Sequence, residues 1–314
     1  MRTLESNGLA ALISATRRLP PLMTAVVYPC DGVAIAAAVE AAAEGVLEPI
    51  LIGPRAEIAR AAAEAGCDIS GFAQIDAIDP YAAAKAAIEE VEGGNVRAVM
   101  KGSLHTDELL GPIVQETALH TMRRMSHCYV LDLPDRDELL ILTDTAVNIA
   151  PTLEEKVDIV RNAIDLARAI GIPEPRVAVL SSVEFVNPQI QSTIDAAALA
   201  KMADRGQITG ALVDGPLALD DAIVPEAARL KHIVSPVAGR ANVLVVPDRD
   251  AGNMLAKEFE FIAHGEAAGI VLGARIPIIL TSRAETVRTR VASCALAALY
   301  LERHRVSREA RGQG

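Results

Sequence analysis

Several polar residues stand directly after short apolar runs. Lys101 and Ser103 follow VRAVM, Asp214 follows Ile208–Val213, Asp248 follows Asn242–Val246, and Ser282 with Arg283 follows IPIIL. If those runs are strands of an open parallel sheet, these side chains gather at its carboxyl edge, where such sheets bind ligands. Arg283 is the sharpest of them, because its planar fork suits phosphate or carboxylate; the alternative is an ion pair with an aspartate such as Asp214 or Asp248. Ser103, His105 and Thr106 stand where a strand would meet a helix, with Thr106 as a suitable N-cap and Asp107 and Glu108 at the helix's positive end. Capping can account for Thr106 and Ser103 but accounts less well for Lys101, whose charge would sit at the positive end of a helix unless an anion joins it. Asn242–Lys257 reads as a buried strand stopped by Pro247, a loop 248–250, and a helix opened by Ala251, Gly252 and Asn253. Backbone amides at Gly252 and Asn253 would offer an anion site; an ordinary turn between strand and helix is the alternative. Asp144 and Asn148 read as a turn.

Other chemistries lack their residues. His105, His120 and His127 do not have metalloenzyme spacing, so no metal is expected, and G-x-S-x-G, Walker and G-x-G-x-x-G patterns are missing. The four cysteines, Cys30, Cys67, Cys128 and Cys294, are far apart with no C-x-x-C pair, as expected of reduced, buried thiols. A net charge of −11 opposes a nucleic-acid partner, which needs surplus Lys and Arg, though not a small anion held by a local cluster. The stretch Met1–Pro21 has no signal-peptide apolar run, and no apolar stretch reaches the ~20 residues of a membrane span. A cytoplasmic protein is the expectation.

The elements that would position these residues alternate. Strands are expected at 24–28, 49–52, 74–78 and 96–100, with helices at 33–44, 56–65 and 81–91 between them. Two strand-like runs, 126–131 and 138–142, surround the turn at 134–137. Thr152 and Glu155 then form a capping box for a helix at 153–170. A second series follows, with strands at 176–180, 208–213, 242–246 and 276–280, helices at 189–203 and 225–231, and a closing helix at 284–304 before a disordered tail from Val306. Strands alternating with helices argue for βαβ units and a mostly parallel sheet with helices on both faces. Aromatics make up 3% of the chain with no Trp, so the core must be built from Ala, Val, Ile and Leu. A length of 314 residues points to about two domains.

In order along the chain, TAVVYPCDG, MKGSLHTDELL, LTDTAVNIAPT, RVAVLSS, LVDGPLALDDAIVP, VAGRANVLVVPDRDAGNMLAK and ILTSRAET resemble the phosphate acetyltransferase and phosphate butyryltransferase family. The segment DGPLALDDAI looks closer to the butyryl-type branch. The resemblance runs from about Thr24 to Tyr300. It implies a two-domain α/β fold like the isocitrate and isopropylmalate dehydrogenases. Residues 1–147 with 285–314 would form the first domain and 148–284 the second, with the active site in the cleft between them and homodimers as the usual assembly. The implied reaction is reversible: acyl-CoA plus phosphate gives acyl phosphate plus CoA, with CoA and phosphate as substrates and no cofactor.

Residue by residue, Ser282 and Arg283 match the family's Ser-Arg pair. The resemblance implies that the arginine holds phosphate and the acyl carbonyl and that the serine lies near the reacting sulfur. Ser103 aligns with a loop position near the phosphate. One departure matters: acetyl-type members carry an aspartate seven residues after the serine as base for the CoA thiol, and here that position is Thr289. An arginine expected near Leu110 and Gly111 is also missing. Glu285 would share a helix face with Thr289 and substitute as base, directly or through water; an exposed glutamate in a first helical turn is the alternative. A non-catalytic acyl-CoA or acyl-phosphate sensor on the same fold is the second reading. A metal-dependent nicotinamide dehydrogenase is the third, disfavoured by the lack of a metal-ligand set.

Overall fold

A computed structural model of the chain describes residues 8–281 and 285–309. In chain order its elements are α1 (Gly8–Thr16), β1 (Leu22–Val27), α2 (Gly32–Ala43), β2 (Leu47–Gly53), α3 (Arg55–Ala65), β3 (Ala73–Asp76), α4 (Pro80–Glu92), β4 (Ala98–Lys101), α5 (Thr106–Gln115) and a 3₁₀ turn (Thr117–Leu119). Then come β5 (Ser126–Asp132), β6 (Leu140–Thr143), α6 (Leu153–Ala169), β7 (Arg176–Leu180), α7 (Gln191–Asp204), β8 (Leu212–Leu217), α8 (Leu219–Ile223) and α9 (Pro225–Leu230). β9 (Val243–Val245), α10 (Arg249–Phe261), β10 (Glu266–Leu272), β11 (Ile278–Ile279) and α11 (Val287–Glu309) complete it. The expected disordered tail is therefore helical as far as Glu309. Among the described residues no helix is long and apolar enough to cross a membrane.

The described residues fall into two compact units, one of residues 9–123 with 268–281 and 285–309 and one of residues 124–267 with Gly8. The sequence reading put these boundaries at 147/148 and 284/285. They differ because β6 pairs in parallel with β9 (Ile141↔Val243), which holds the β5–β6 hairpin in the second unit, while β11 pairs in parallel with β4 (Ile279↔Met100) in the first.

In the first unit the strand order is β3-β2-β1-β4-β11-β10, parallel except for the antiparallel β10–β11 pair. β1 to β3 step one way across the sheet, and β4 then returns to the other side of β1. Right-handed crossovers require the helices to change face at that reversal. Accordingly α2 packs with α3 and α11, whereas α4 packs with α5. Asp31 and Asp79 start α2 and α4 as N-caps, accepting from the amides of Ala34 and Ala82 at 2.7 Å each.

In the second unit the order is β5-β6-β9-β7-β8, parallel apart from the β5–β6 hairpin. Its strands are apolar on both faces and still alternate. Leu131, Leu142, Ala178 and Leu244 share one core with Ala222, Ala228, Ala256 and Phe259 of α8, α9 and α10. α6 packs on β5, β6 and β9. Its start is the expected capping box: Thr152 Oγ1 accepts from the Glu155 amide at 3.3 Å, and the Glu155 carboxylate accepts from the Thr152 amide at 2.9 Å.

Candidate active site

In the first unit the sheet reverses direction between β1 and β4, so the crevice at the carboxyl ends of those two strands is where a ligand is expected. Lys101 is the last residue of β4, in register with Val27 of β1, and it is buried. Its ammonium donates to the Thr281 carbonyl at 3.4 Å, which ties the exit of β4 to the exit of β11. Beyond it the β4 loop is laced to β1. The Gly102 amide donates to Val27 O at 2.9 Å and the Ser103 amide to Tyr28 O at 2.8 Å, while Ser103 Oγ accepts from the Cys30 amide at 2.9 Å. Only glycine fits at 102, because a Cβ there would run into the carbonyl oxygens of Val27 and Tyr28. Tyr28 itself takes a left-handed φ of 54°, an uncommon backbone state that clusters at functional sites.

Two expectations for this loop change. The N-cap of α5 is His105, not Thr106, which is the helix's first residue; the Glu108 carboxylate accepts from the His105 amide at 2.6 Å. The His105 residue is exposed. Lys101 is placed by the sheet, since the β4 strand continues through it, and not by the helix terminus.

At the β11 exit Thr281 is buried, and Ser282 and Arg283 lie outside the described residues. Glu285 is buried and precedes α11, so it is neither exposed nor in a first helical turn. The helical-face argument linking Glu285 to Thr289 therefore fails. Thr286 caps α11 in its place: its Oγ1 accepts from the Thr289 amide at 3.3 Å. Thr289 Oγ1 donates back to the Thr286 carbonyl at 3.0 Å, so this hydroxyl serves the helix start.

In the second unit Asp214 does not end a strand. β8 starts at Leu212 and continues through Asp214, Gly215 and Pro216, with Asp214 opposite Ala178 of β7 and its carboxylate accepting from the Gly215 amide at 2.8 Å. Gly252 and Asn253 are not a helix entry either. α10 starts at Arg249 with Asp248 as N-cap, accepting from the Ala251 amide at 2.9 Å, and the Gly252 amide donates to Asp248 O at 3.1 Å within the helix. The expected backbone donor at Gly252 is thus already used. Glycine is needed there for packing, because a Cβ would run into the Asp144 carbonyl oxygen and lie 3.1 Å from Thr145 Cα. Asn253 Nδ2 meets the Thr145 carbonyl at 3.5 Å.

What Gly252 packs against is a polar centre that sequence reasoning took for a simple turn. The buried Asp144 carboxylate accepts from the amides of His127 (3.2 Å), Ala146, Val147 and Asn148 (3.0 Å each) and from Asn148 Nδ2 (2.6 Å). Asn148 Oδ1 accepts from Arg124 Nε at 2.7 Å, and His127 Nδ1 lies 2.6 Å from Thr145 Oγ1. The pattern D-T-A-V-N signals an aspartate-led turn; burial beneath β5 is what the sequence does not disclose.

Chemically, then, Lys101, Ser103, Thr281, Glu285 and Thr289 all belong to the first unit, where Lys101 meets Thr281, while Asp214, Gly252 and Asn253 belong to the second unit. Burial pushes the thiols of Cys30, Cys128 and Cys294 up to about 12, which makes them poor nucleophiles. Among the described residues no group of three or more His, Cys, Asp or Glu side chains is arranged to hold a metal ion.

Residues 77–298 match the family described as phosphate acetyl/butaryl transferase. A phosphate acetyltransferase of Rhizobium meliloti is 54% identical over 300 residues, covering 95% of each chain. A phosphate butyryltransferase of Clostridium beijerinckii is 39% identical over 301 residues, covering 96% of this chain and all of that one. Of these two the acetyl-named relative is the more similar, whereas DGPLALDDAI had pointed to the butyryl-type branch. The crystal structure of a branched-chain phosphotransacylase from Enterococcus faecalis V583 superposes with a TM-score of 0.77 at 28% identity, covering 89% of this chain and 99% of that one.

Proposed function

Because this chain belongs to the phosphate acetyl/butaryl transferase family, we propose that it catalyses reversible transfer of a short-chain acyl group, acetyl or butyryl, between coenzyme A and inorganic phosphate. The observation that carries the reading, beside the family match, is the contact of the buried Lys101 ammonium with the Thr281 carbonyl. It sets a cation one residue from the Ser282-Arg283 pair, at the edge where a parallel sheet takes its ligand.

In this reading a phosphate oxygen attacks the thioester carbonyl, the carbon–sulfur bond breaks, and the sulfur leaves with the electron pair and takes up a proton. Arg283 and Lys101 stabilise the phosphate and the developing oxyanion, Ser282 hydrogen-bonds near the sulfur, and Ser103 holds the loop beside the phosphate. Catalysis rests on positioning and charge stabilisation in a desolvated site. The enzyme works in the cytoplasm as a homodimer, with acyl-CoA and phosphate as substrates and no metal or cofactor.

The proton falls to Glu285. Thr289 has no carboxylate, and its hydroxyl is committed to Thr286. A positioned base contributes ~10²–10⁴-fold, and a thiol of ordinary pKa ~8.5 is a few per cent ionised near neutrality without help. Glu285→Gln is therefore expected to lower kcat at least ~10²-fold in the acyl-phosphate-consuming direction below pH 8, with the deficit shrinking as pH rises and the thiol ionises unaided. Full kcat at every pH would remove Glu285 from the mechanism.

Thr289 also favours a second reading, an acyl-CoA or acyl-phosphate sensor that kept the fold and lost the base. A panel from acetyl-CoA to octanoyl-CoA, followed by phosphate-dependent appearance of free thiol, separates the two. Turnover on any short acyl chain supports the enzyme, and saturable binding without turnover on the whole panel supports the sensor. The same panel reads the acyl preference, which one methylene shifts by ~1–3 kcal/mol.

A further inference from the structure

A buried polar atom without a partner costs free energy, so each one in a folded chain calls for an explanation. Arg136, Asn162 and Asp221 of the second unit each bury one such atom, but each also bonds through another atom of its side chain. Thr281 of the first unit differs. It is 3% exposed, its Oγ1 has no hydrogen-bond partner among the described residues, and a threonine side chain has no other polar atom.

Its place in the sheet gives that hydroxyl a use. β11 pairs with β4 through Ile278↔Val99 and Ile279↔Met100, and the Leu280 amide still donates to Gly269 O of β10 at 3.3 Å. Thr281 is the next residue, so it stands at the carboxyl end of β11, where the ladder stops. The Lys101 ammonium reaches forward to its carbonyl at 3.4 Å. Lys101 ends β4, which with β1 forms the crevice where the sheet of this unit reverses. A buried cation and an unused hydroxyl therefore meet at one residue on the edge that takes ligands. Local structure gives no reason for the hydroxyl, since a valine of the same shape would suit an extended chain and bury no polar atom.

We propose that Thr281 Oγ1 donates a hydrogen bond to an oxygen of the phosphate substrate, which makes Thr281 a phosphate-binding residue in its own right. This rests on the acyl-transfer reading above. Phosphate is the part of the reaction that fits, because its oxygens are charged acceptors and a hydroxyl bonds a charged acceptor more strongly than a neutral one. The methylenes of an acyl chain accept nothing, and the thioester carbonyl is uncharged when it binds. A hydroxyl that served only the fold would leave the affinities for phosphate and for acyl-CoA equally disturbed or equally intact.

Initial rates of the full-length chain, measured against phosphate at saturating acetyl-CoA and against acetyl-CoA at saturating phosphate, separate these roles. Thr281→Val removes the hydroxyl and keeps the shape. It is expected to raise the phosphate KM about 10- to 100-fold, with kcat and the acetyl-CoA KM within about 3-fold of the unmutated values. Thr281→Ser keeps the hydroxyl and is expected to hold the phosphate KM within about 3-fold. Without ligand, Thr281→Val should melt no lower than the unmutated chain, because it buries no unpaired polar atom. Unchanged KM values, KM values raised alike, or a loss confined to kcat overturn the proposal. If Thr281→Val does not fold, Thr281→Ala takes its place and the same pattern of KM values decides. If the unmutated chain releases no CoA with phosphate, the acyl-transfer reading fails instead. A Tm rise with inorganic phosphate that is smaller in Thr281→Val then still supports the contact with the anion, and equal rises overturn it.

Discussion

Arg283→Ala is expected to lower kcat/KM for phosphate-dependent acyl transfer by ~10²–10³-fold, the loss typical of removing one preorganised donor to a developing oxyanion. Arg283 lies outside the described residues, between Thr281 and Glu285, which are described. β11, the strand that precedes Arg283 in sequence, is flanked by β4 and β10. Lys101 reaches the Thr281 carbonyl two residues before Arg283, and the buried Glu285 follows two residues after it. In a desolvated site a guanidinium is worth far more than at the surface. Arg283→Lys is expected to recover only part of the loss, because an ammonium cannot reproduce the planar fork. Near-normal kinetics in Arg283→Ala would remove the residue from the mechanism, whatever its neighbours do.

The second large effect concerns stability and lies in the second unit. Lys156 of α6 and Asp195 of α7 form a 2.7 Å ion pair with both side chains almost wholly buried, and Gln191 Nε2 donates to the other Asp195 oxygen at 2.8 Å. Removing one partner strands a charge in the interior. Asp195→Ala is expected to cost ~3–5 kcal/mol and to lower Tm by roughly 6–20 °C, with Lys156→Met similar. The double substitution Lys156→Met with Asp195→Leu removes both charges and fills the space, and it is expected to melt close to the unmutated protein. Thermal unfolding followed by circular dichroism measures all three. Single variants that melt unchanged would mean that water already reaches the pair.

Much of this arrangement is legible in the sequence, and the losses have physical causes. β7 spans Arg176–Leu180 as its apolar run indicates, and Thr152 with Glu155 starts α6 as the capping pattern requires. Local signals decided those elements, and local signals failed elsewhere. Gly215 and Pro216 read as breakers, yet β8 runs through them, because an edge strand can spare the donor that proline lacks and its register to β7 is irregular there. Gly252 reads as a helix entry with a free backbone donor, whereas its lack of a Cβ serves the approach of α10 to Asp144 and Thr145. Asp144 cannot be told from an exposed turn residue until β5 brings the His127 amide to it. Arg288 and Arg290 look alike in sequence; the cap at Thr286 fixes the phase of α11, which turns Arg288 outward and Arg290 inward. The edge residues Lys101 and Ser103 were readable because strand ends are local, and their partners Thr281 and Cys30 were not, because those contacts span 180 and 73 residues of chain.

The most direct test of the central claim is ³¹P nuclear magnetic resonance of the purified chain with acetyl-CoA or butyryl-CoA and inorganic phosphate. The account predicts an acyl phosphate resonance growing at the expense of inorganic phosphate, matched mole for mole by free CoA thiol, and reversed when CoA and acyl phosphate are supplied instead. An inorganic phosphate signal that stays constant with both acyl-CoAs, in protein shown to be folded, would contradict it.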